Sequence, residues 1–224
     1  MRKGGFRFPE SEWLTYLALT GEGIIMAKLV FFIGGAGAGK TTLAKKLAAK
    51  RRAVLLDMDT LLRPAAEALM TQAGLDPSDR DSAEYKRLCR DLGYRITMDA
   101  ALENLELGND AYVIGPFTKE TEDPEWIGAE LAKIGTAASA VEVKVVVVYL
   151  ADLAVYRERI ERRATELDRW KLEHWADFSR SLAKRSPRWP LPDGSVLDYD
   201  NTALLDEEGL LRLEAFVYGT PNRS

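Results

Sequence analysis

Eight residues, Gly34-Gly35-Ala36-Gly37-Ala38-Gly39-Lys40-Thr41, place glycine at the first and sixth positions and end in Lys-Thr, directly after the apolar run Leu29-Val30-Phe31-Phe32-Ile33. The chemistry this spacing serves is polyphosphate binding. Backbone N–H groups must point inward around the phosphates, and side chains would block that approach, so only glycine and alanine occupy residues 34–39. Gly35, Ala36, Gly37, Ala38, Gly39, Lys40, Thr41 and Thr42 are the expected nucleotide contacts. The Lys40 charge is expected to reach the outer phosphates, and the Thr41 hydroxyl to ligate Mg²⁺. A triphosphate is therefore the expected ligand of this loop.

A second pattern is Asp57-Met58-Asp59, which follows the apolar run Ala53-Val54-Leu55-Leu56, with Arg63 four residues past Asp59. A hydroxyl attacking a γ-phosphate must lose its proton, and a nearby carboxylate can take it. Mg²⁺ also draws a carboxylate into its shell. Two carboxylates two residues apart divide those tasks, and we assign Asp59 as base and Asp57 to the metal. Arg63, one helical turn beyond Asp59, suits a clamp on an anionic or hydroxyl-rich acceptor. The same two aspartates also suit a polar strand end that caps a helix.

Further on, Asp152 opens a helical stretch with Arg157, Arg159, Arg162, Arg163 and Arg169. Leu153, Tyr156, Ile160, Ala164 and Leu167 recur at spacings of three and four, and the arginines fall largely off that stripe. One reading is a solvated face paired with Glu158, Glu161 and Glu166. The other is a lid, because about 45 residues separate the flanking strands, far more than a crossover helix needs. A lid would bring Arg159 and Arg163, one turn apart, onto charge developing at the phosphates. Lys119 suits a contact to phosphate or acceptor, or an exposed surface lysine. Asn201 and Thr202 suit contacts to the nucleobase, while His174 and Cys89 read as packing residues.

These groups must be positioned by the elements around them. Apolar runs at 28–33, 53–56, 111–114, 144–150 and 195–199 read as strands and alternate with helical patterns. Continuously apolar strands alternating with helices specify a parallel sheet covered on both faces. In such sheets ligands bind beyond the carboxyl ends of the strands, and each pattern above follows a strand end.

The remainder of the chain sets bounds. A net charge of −4 over 224 residues argues against a general nucleic-acid binder. Cys89 is the only cysteine and His174 the only histidine, which excludes cysteine- or histidine-rich metal sites and fits a reducing cytoplasm. The longest apolar run, around Val145 to Leu150, has the length of a strand, so no membrane span is expected. Residues 1–25 read as an N-terminal extension ahead of one domain over 26–224.

The chain resembles the P-loop small-molecule kinases, the group that includes gluconate, shikimate, adenylylsulfate, adenylate and zeta-toxin kinases. The matching pieces are Gly34 to Thr42, Asp57-Met58-Asp59 with Arg63, and Arg159-Ile160-Glu161-Arg162-Arg163. Gly115 to Glu120 and Asp168 to Leu172 also look like runs from bacterial "AAA family ATPase" proteins of this kinase type. The resemblance implies an α/β P-loop NTPase three-layer fold with a five-stranded parallel sheet in order 2-3-1-4-5. It also implies an acceptor-binding helical insert over 60–108 and a helical lid over 152–186. Asn-Lys-x-Asp and Leu-Ser-Gly-Gly, marks of GTPases and transporter ATPases, are absent. The expectation is a cytoplasmic kinase, monomeric or homodimeric, that uses ATP and Mg²⁺ to phosphorylate a hydroxyl of a small metabolite. The alternatives are a kinase of a nucleotide sugar or polynucleotide 5′ end, and a nucleotide-binding switch.

Overall fold

Strand β1 (Ala27–Ile33) is buried at every position except Lys28, because it lies at the centre of a sheet covered on both faces. The computed structural model describes residues 26–80, 82–163, 166–180, 182–203 and 205–220, so the expected extension over 1–25 lies outside the described residues. Strands β2 (Val54–Asp57), β3 (Ala111–Ile114), β4 (Val141–Tyr149) and β5 (Val196–Asp200) complete a sheet in the order β2-β3-β1-β4-β5. Every pairing is parallel, with Phe31 opposite Val113 on one side and Val145 on the other. This is the order expected from the resemblance. Alternate residues feed two cores, Phe31, Val113 and Val145 on one face and Phe32, Tyr112 and Val146 on the other.

Helix α1 (Lys40–Arg51) follows the glycine loop and buries Leu43, Ala44, Leu47 and Ala48 against the second face. Helix α2 (Met58–Gln72) starts on the last residue of β2, with the Asp57 side chain accepting a bond from the Asp59 N–H. After a turn at Gly74, Ser82 caps a helical run of changing pitch. A single turn Ala83–Tyr85 passes into a π turn Lys86–Arg90 and then helix α3 (Asp91–Glu106). Gly93 lets α3 lie close on α2, since a Cβ there would sit 2.8 Å from Leu62 Cδ2. Leu62, Ala66, Met70 and Cys89 form the satellite core between these helices, so Cys89 packs as expected.

Between β3 and β4, helix α4 (Trp126–Leu131) is followed by 3₁₀ turns over Ala132–Ala140. Gly135 at φ 55° interrupts the helical path there. The long arginine stretch is three helices, α5 (Leu153–Arg163), α6 (Glu166–Glu173) and α7 (Trp175–Arg180). Helix α8 (Glu207–Tyr218) closes the chain, capped by Asp206. The loop after β3 is held from beneath by Phe117, which packs edge-on to Phe31 at 5.2 Å, and by Trp189, which donates to the Glu120 carbonyl at 2.8 Å.

Candidate active site

At the carboxyl edge of the sheet the glycine loop wraps into a tight cradle. Gly34 has φ 137°, and a Cβ there would lie 2.0 Å from the Val148 carbonyl oxygen. Gly39 has φ 97°, and a Cβ there would lie 2.3 Å from the Asn201 amide nitrogen. Neither position admits a side chain, so the loop's backbone stays bare for an incoming phosphate. Lys40 Nζ folds back onto the loop and donates to the carbonyls of Gly34 at 3.0 Å and Gly35 at 2.9 Å. Burial pushes the Lys40 ammonium down to about 8. Asp59 and Asp57 oppose that shift, and the cations Arg163 and Lys171 add to it.

A polyphosphate at Lys40 reverses the shift, because its negative charge favours the ammonium. The free protein holds Lys40 neutral above pH about 8, whereas the nucleotide complex holds it charged. ADP binding therefore takes up close to one proton at about pH 9 and little at about pH 7. Calorimetry in buffers of different ionisation enthalpy reads this directly. An uptake equal at both pH values, or one retained in Lys40→Met, rules the linkage out.

Thr41 and Asp57 meet across the α1–β2 junction, with Thr41 Oγ1 donating to Asp57 Oδ2 at 2.8 Å. The other oxygen, Oδ1, accepts the Asp59 N–H at 3.1 Å and so caps α2. The helix-cap reading of Asp57 is therefore observed through Oδ1, while Oδ2 turns toward the loop and the Thr41 hydroxyl. A hydroxyl beside a carboxylate, with no thiol or imidazole near, is a hard oxygen donor set that fits Mg²⁺ completed by water and phosphate oxygens. Among the described residues no group of three or more His, Cys, Asp or Glu could hold a metal alone. Asp59 is exposed, and its carboxylate has no hydrogen-bond partner among the described residues.

The cavity over this edge has a volume of about 1020 Å³ and reaches from the loop to α2, the π turn and the loops after β3 and α7. Twelve Lys or Arg residues line it against two carboxylates, Asp57 and Asp59. Arg163 and Arg159 both line it, but they are held differently. Arg163 Nε donates to Asp168 Oδ2 at 2.7 Å, and Lys171 lies 3.4 Å from Asp168 Oδ1. Asp168 itself is fully buried. It therefore fixes two cations close enough to depress the Lys40 ammonium. Arg159 donates to the carbonyls of Asn201 at 2.8 Å and Thr202 at 3.0 Å, which sets it over the Gly39 side of the loop.

Other expected contacts are placed differently. Asn201 lines the cavity, yet its side-chain amide donates to the Ala38 carbonyl at 2.8 Å, so it braces the phosphate loop. Thr202 lies outside the lining, its hydroxyl donating to Asp200 and accepting the Ala151 N–H at 2.9 Å. Lys119 is exposed and also outside the lining, whereas its neighbours Thr118 and Thr121 are within it. Arg63 lines the cavity one turn from Asp59 on α2. Lys86, Arg90, Tyr94, Asp168, Lys171 and Lys184 were not singled out by sequence spacing. Only the Asp168-to-Leu172 run carried a signal for any of them.

A glycine cradle between a central parallel strand and a helix, in sheet order β2-β3-β1-β4-β5, defines a P-loop NTPase fold. The chain belongs to the AAA domain family, whose model matches residues 29–184. No curated protein matches it. Among solved structures it is similar to a kinase candidate from Chloroflexus aurantiacus j-10-fl, with a TM-score of 0.60 and 21% identity over 86% of this chain and 96% of that one. It is also similar to a sugar kinase from Janibacter sp. HTCC2649, with a TM-score of 0.54 and 17% identity over 86% and 94%. The fold is thus shared with the P-loop kinases, as the sequence resemblance implied. Among the described residues no helix is long and apolar enough to cross a membrane.

Proposed function

We propose that this protein is a cytoplasmic kinase that transfers the γ-phosphoryl group of ATP, with Mg²⁺, to a hydroxyl of a small molecule. The observation that carries this reading is the Thr41–Asp57 contact of 2.8 Å, with Asp59 two residues on in the lining of the same cavity, its carboxylate without a hydrogen bond among the described residues. Bound Mg·ATP supplies the transferable phosphoryl group and neutralises its developing charge. Lys40, now on the Gly34 and Gly35 carbonyls, would turn to the outer phosphates, and Thr41 and Asp57 would hold the metal. Arg163 and Lys171, fixed by Asp168, face the transferring group from the 152–186 segment, which acts as the lid. Asp59 takes the proton of the attacking hydroxyl. Arg159, set beside Asn201, lies on the side of the loop that suits the nucleobase.

A hydrolytic switch needs no second compartment. The cavity of about 1020 Å³ lies at the large end of the range for ligand pockets, and residues of the 60–108 segment line it beside the glycine loop. Acceptor-dependent ADP release from a hydroxyl-bearing metabolite panel is the expected result. Mg·ATP binding with hydrolysis indifferent to every acceptor overturns the reading in favour of a switch.

A further inference from the structure

We infer that the acceptor is a phosphate monoester bearing a free hydroxyl, its phosphate held by Arg63 and Lys86 of the cavity lining. The inference rests on the phosphoryl-transfer reading above. Its starting point is charge. The chain as a whole is acidic, with a net charge of −4, yet the cavity lining holds twelve cationic side chains and two carboxylates.

Most of those cations are already neutralised. Arg90 is held by both Glu120 carboxylate oxygens at 3.1 Å and lies over the Tyr94 ring at 4.7 Å. Lys184 pairs with Asp198 at 2.5 Å, and Arg185 with Glu122 at 3.2 Å. Arg80 donates to the Pro77 and Asp79 carbonyls and reaches Glu67 at 3.5 Å. Arg63 and Lys86 differ, since neither has a carboxylate or carbonyl partner among the described residues while both line the cavity. Lys45, the other cavity cation without such a partner, belongs to α1 on the nucleotide side.

Two cations without a carboxylate partner, one of them a guanidinium that donates in a fork, suit a phosphate monoester, which carries about −1.5 to −2 at neutral pH and three strong acceptor oxygens. The turn that carries Lys86 is also anchored. Lys86 opens the π turn, whose far end is fixed by the Arg90–Glu120 pair, and π turns of this kind concentrate at functional sites. Arg63 stands four residues after Asp59 on α2, about 6 Å along the helix axis, the span of a short carbon chain between phosphate and hydroxyl. In the reaction the acceptor O–H gives its proton to Asp59 as its oxygen bonds to the γ-phosphorus. The bond from that phosphorus to the β,γ-bridging oxygen breaks, with its electron pair leaving on ADP. The products are ADP and a bisphosphorylated compound, and Asp59 returns the proton to solvent.

The test uses the full chain with Mg·ATP and four sets of probes. These are glycerol 3-phosphate and ribose 5-phosphate, uridine 5′-monophosphate, gluconate, and unphosphorylated glycerol and ribose. ADP release with phosphate monoesters, and phosphorus NMR showing a new ester on a carbon-borne oxygen, support the inference. The sugar-phosphate and nucleotide arms then separate the two sources of the phosphate. Lys86→Met and Arg63→Met should each raise the acceptor KM by about tenfold to a hundredfold, with kcat changed by less than about threefold. Lys86→Arg should recover most of the loss. Turnover confined to gluconate or the unphosphorylated polyols, or formation of a phosphoanhydride, overturns this inference and leaves phosphoryl transfer standing. No turnover with any probe, while Mg·ATP still binds, overturns both.

Discussion

In a Lys40→Met variant, ATP turnover falls by about a thousandfold or more while the melting temperature holds or rises. The two halves of this result come from one side chain. Lys40 is the cation that the glycine loop keeps beside its own carbonyls, at 3.0 and 2.9 Å, in the position a β,γ-phosphate oxygen would claim. Without its charge the outer phosphates lose a charge-assisted donor in ground and transition states alike. In the empty protein, however, that charge is a burden. Burial lowers the ammonium from its ordinary value to about 8, so below that pH the fold carries the cost of holding it charged. For a lysine so depressed, stability rises as pH climbs from about 8 toward the unfolded value near 10.5, where only the unfolded chain still binds the proton. Methionine fills the same volume without that cost. Thermal melts near neutral pH together with an ADP-release assay decide the matter. A drop in stability that parallels the drop in turnover would make Lys40 structural.

The loop was fully legible in the sequence, because its demands are local. Gly34 and Gly39 must be glycine whatever the distant chain does, given φ of 137° and 97°. The sheet order was also accessible, through the resemblance and through strands too apolar to face water. Asp57 and Asp59 were legible as a pair, since a strand end and a helix start both fall there. The acceptor wall was harder to read. Lys86 and Arg90 join Asp59 in one cavity lining because α3 lies on α2, and the π turn that carries them has no periodicity signal that distinguishes it from the surrounding helix. Asn201 illustrates the same limit from the other side. Its place after β5 was correct, but its amide finds Ala38 across 163 positions of sequence, and that bond makes it a brace for the loop. Lys119 follows a strand end as the rule requires. The turn held by Phe117 nevertheless presents Thr118 and Thr121 to the cavity in its place.

The division of labour between the two aspartates gives the second large effect. Asp59→Asn should lower the rate of phosphoryl transfer by about a hundredfold to ten-thousandfold, the range for losing a general base, with the KM for ATP and the Mg²⁺ requirement nearly unchanged. The two carboxylates are committed to different degrees. Asp57 has both oxygens in use, Oδ1 on the Asp59 N–H at 3.1 Å and Oδ2 on the Thr41 hydroxyl at 2.8 Å, so it is fixed in orientation. A fixed carboxylate beside a hydroxyl suits a metal shell, where direction matters and a proton is unwelcome. Asp59 keeps its carboxylate free, so it can meet an acceptor hydroxyl and release the proton afterwards. Asparagine at 59 retains the shape and the backbone N–H that Asp57 needs as a cap partner, so the fold and the metal pair survive. Asp57→Asn, by contrast, should raise the Mg²⁺ concentration needed for half-maximal rate and weaken the start of α2 by about 1 kcal/mol. If Asp57→Asn at saturating Mg²⁺ shows the larger defect in transfer, and Asp59→Asn shifts only the metal requirement, the roles assigned to the two residues are reversed.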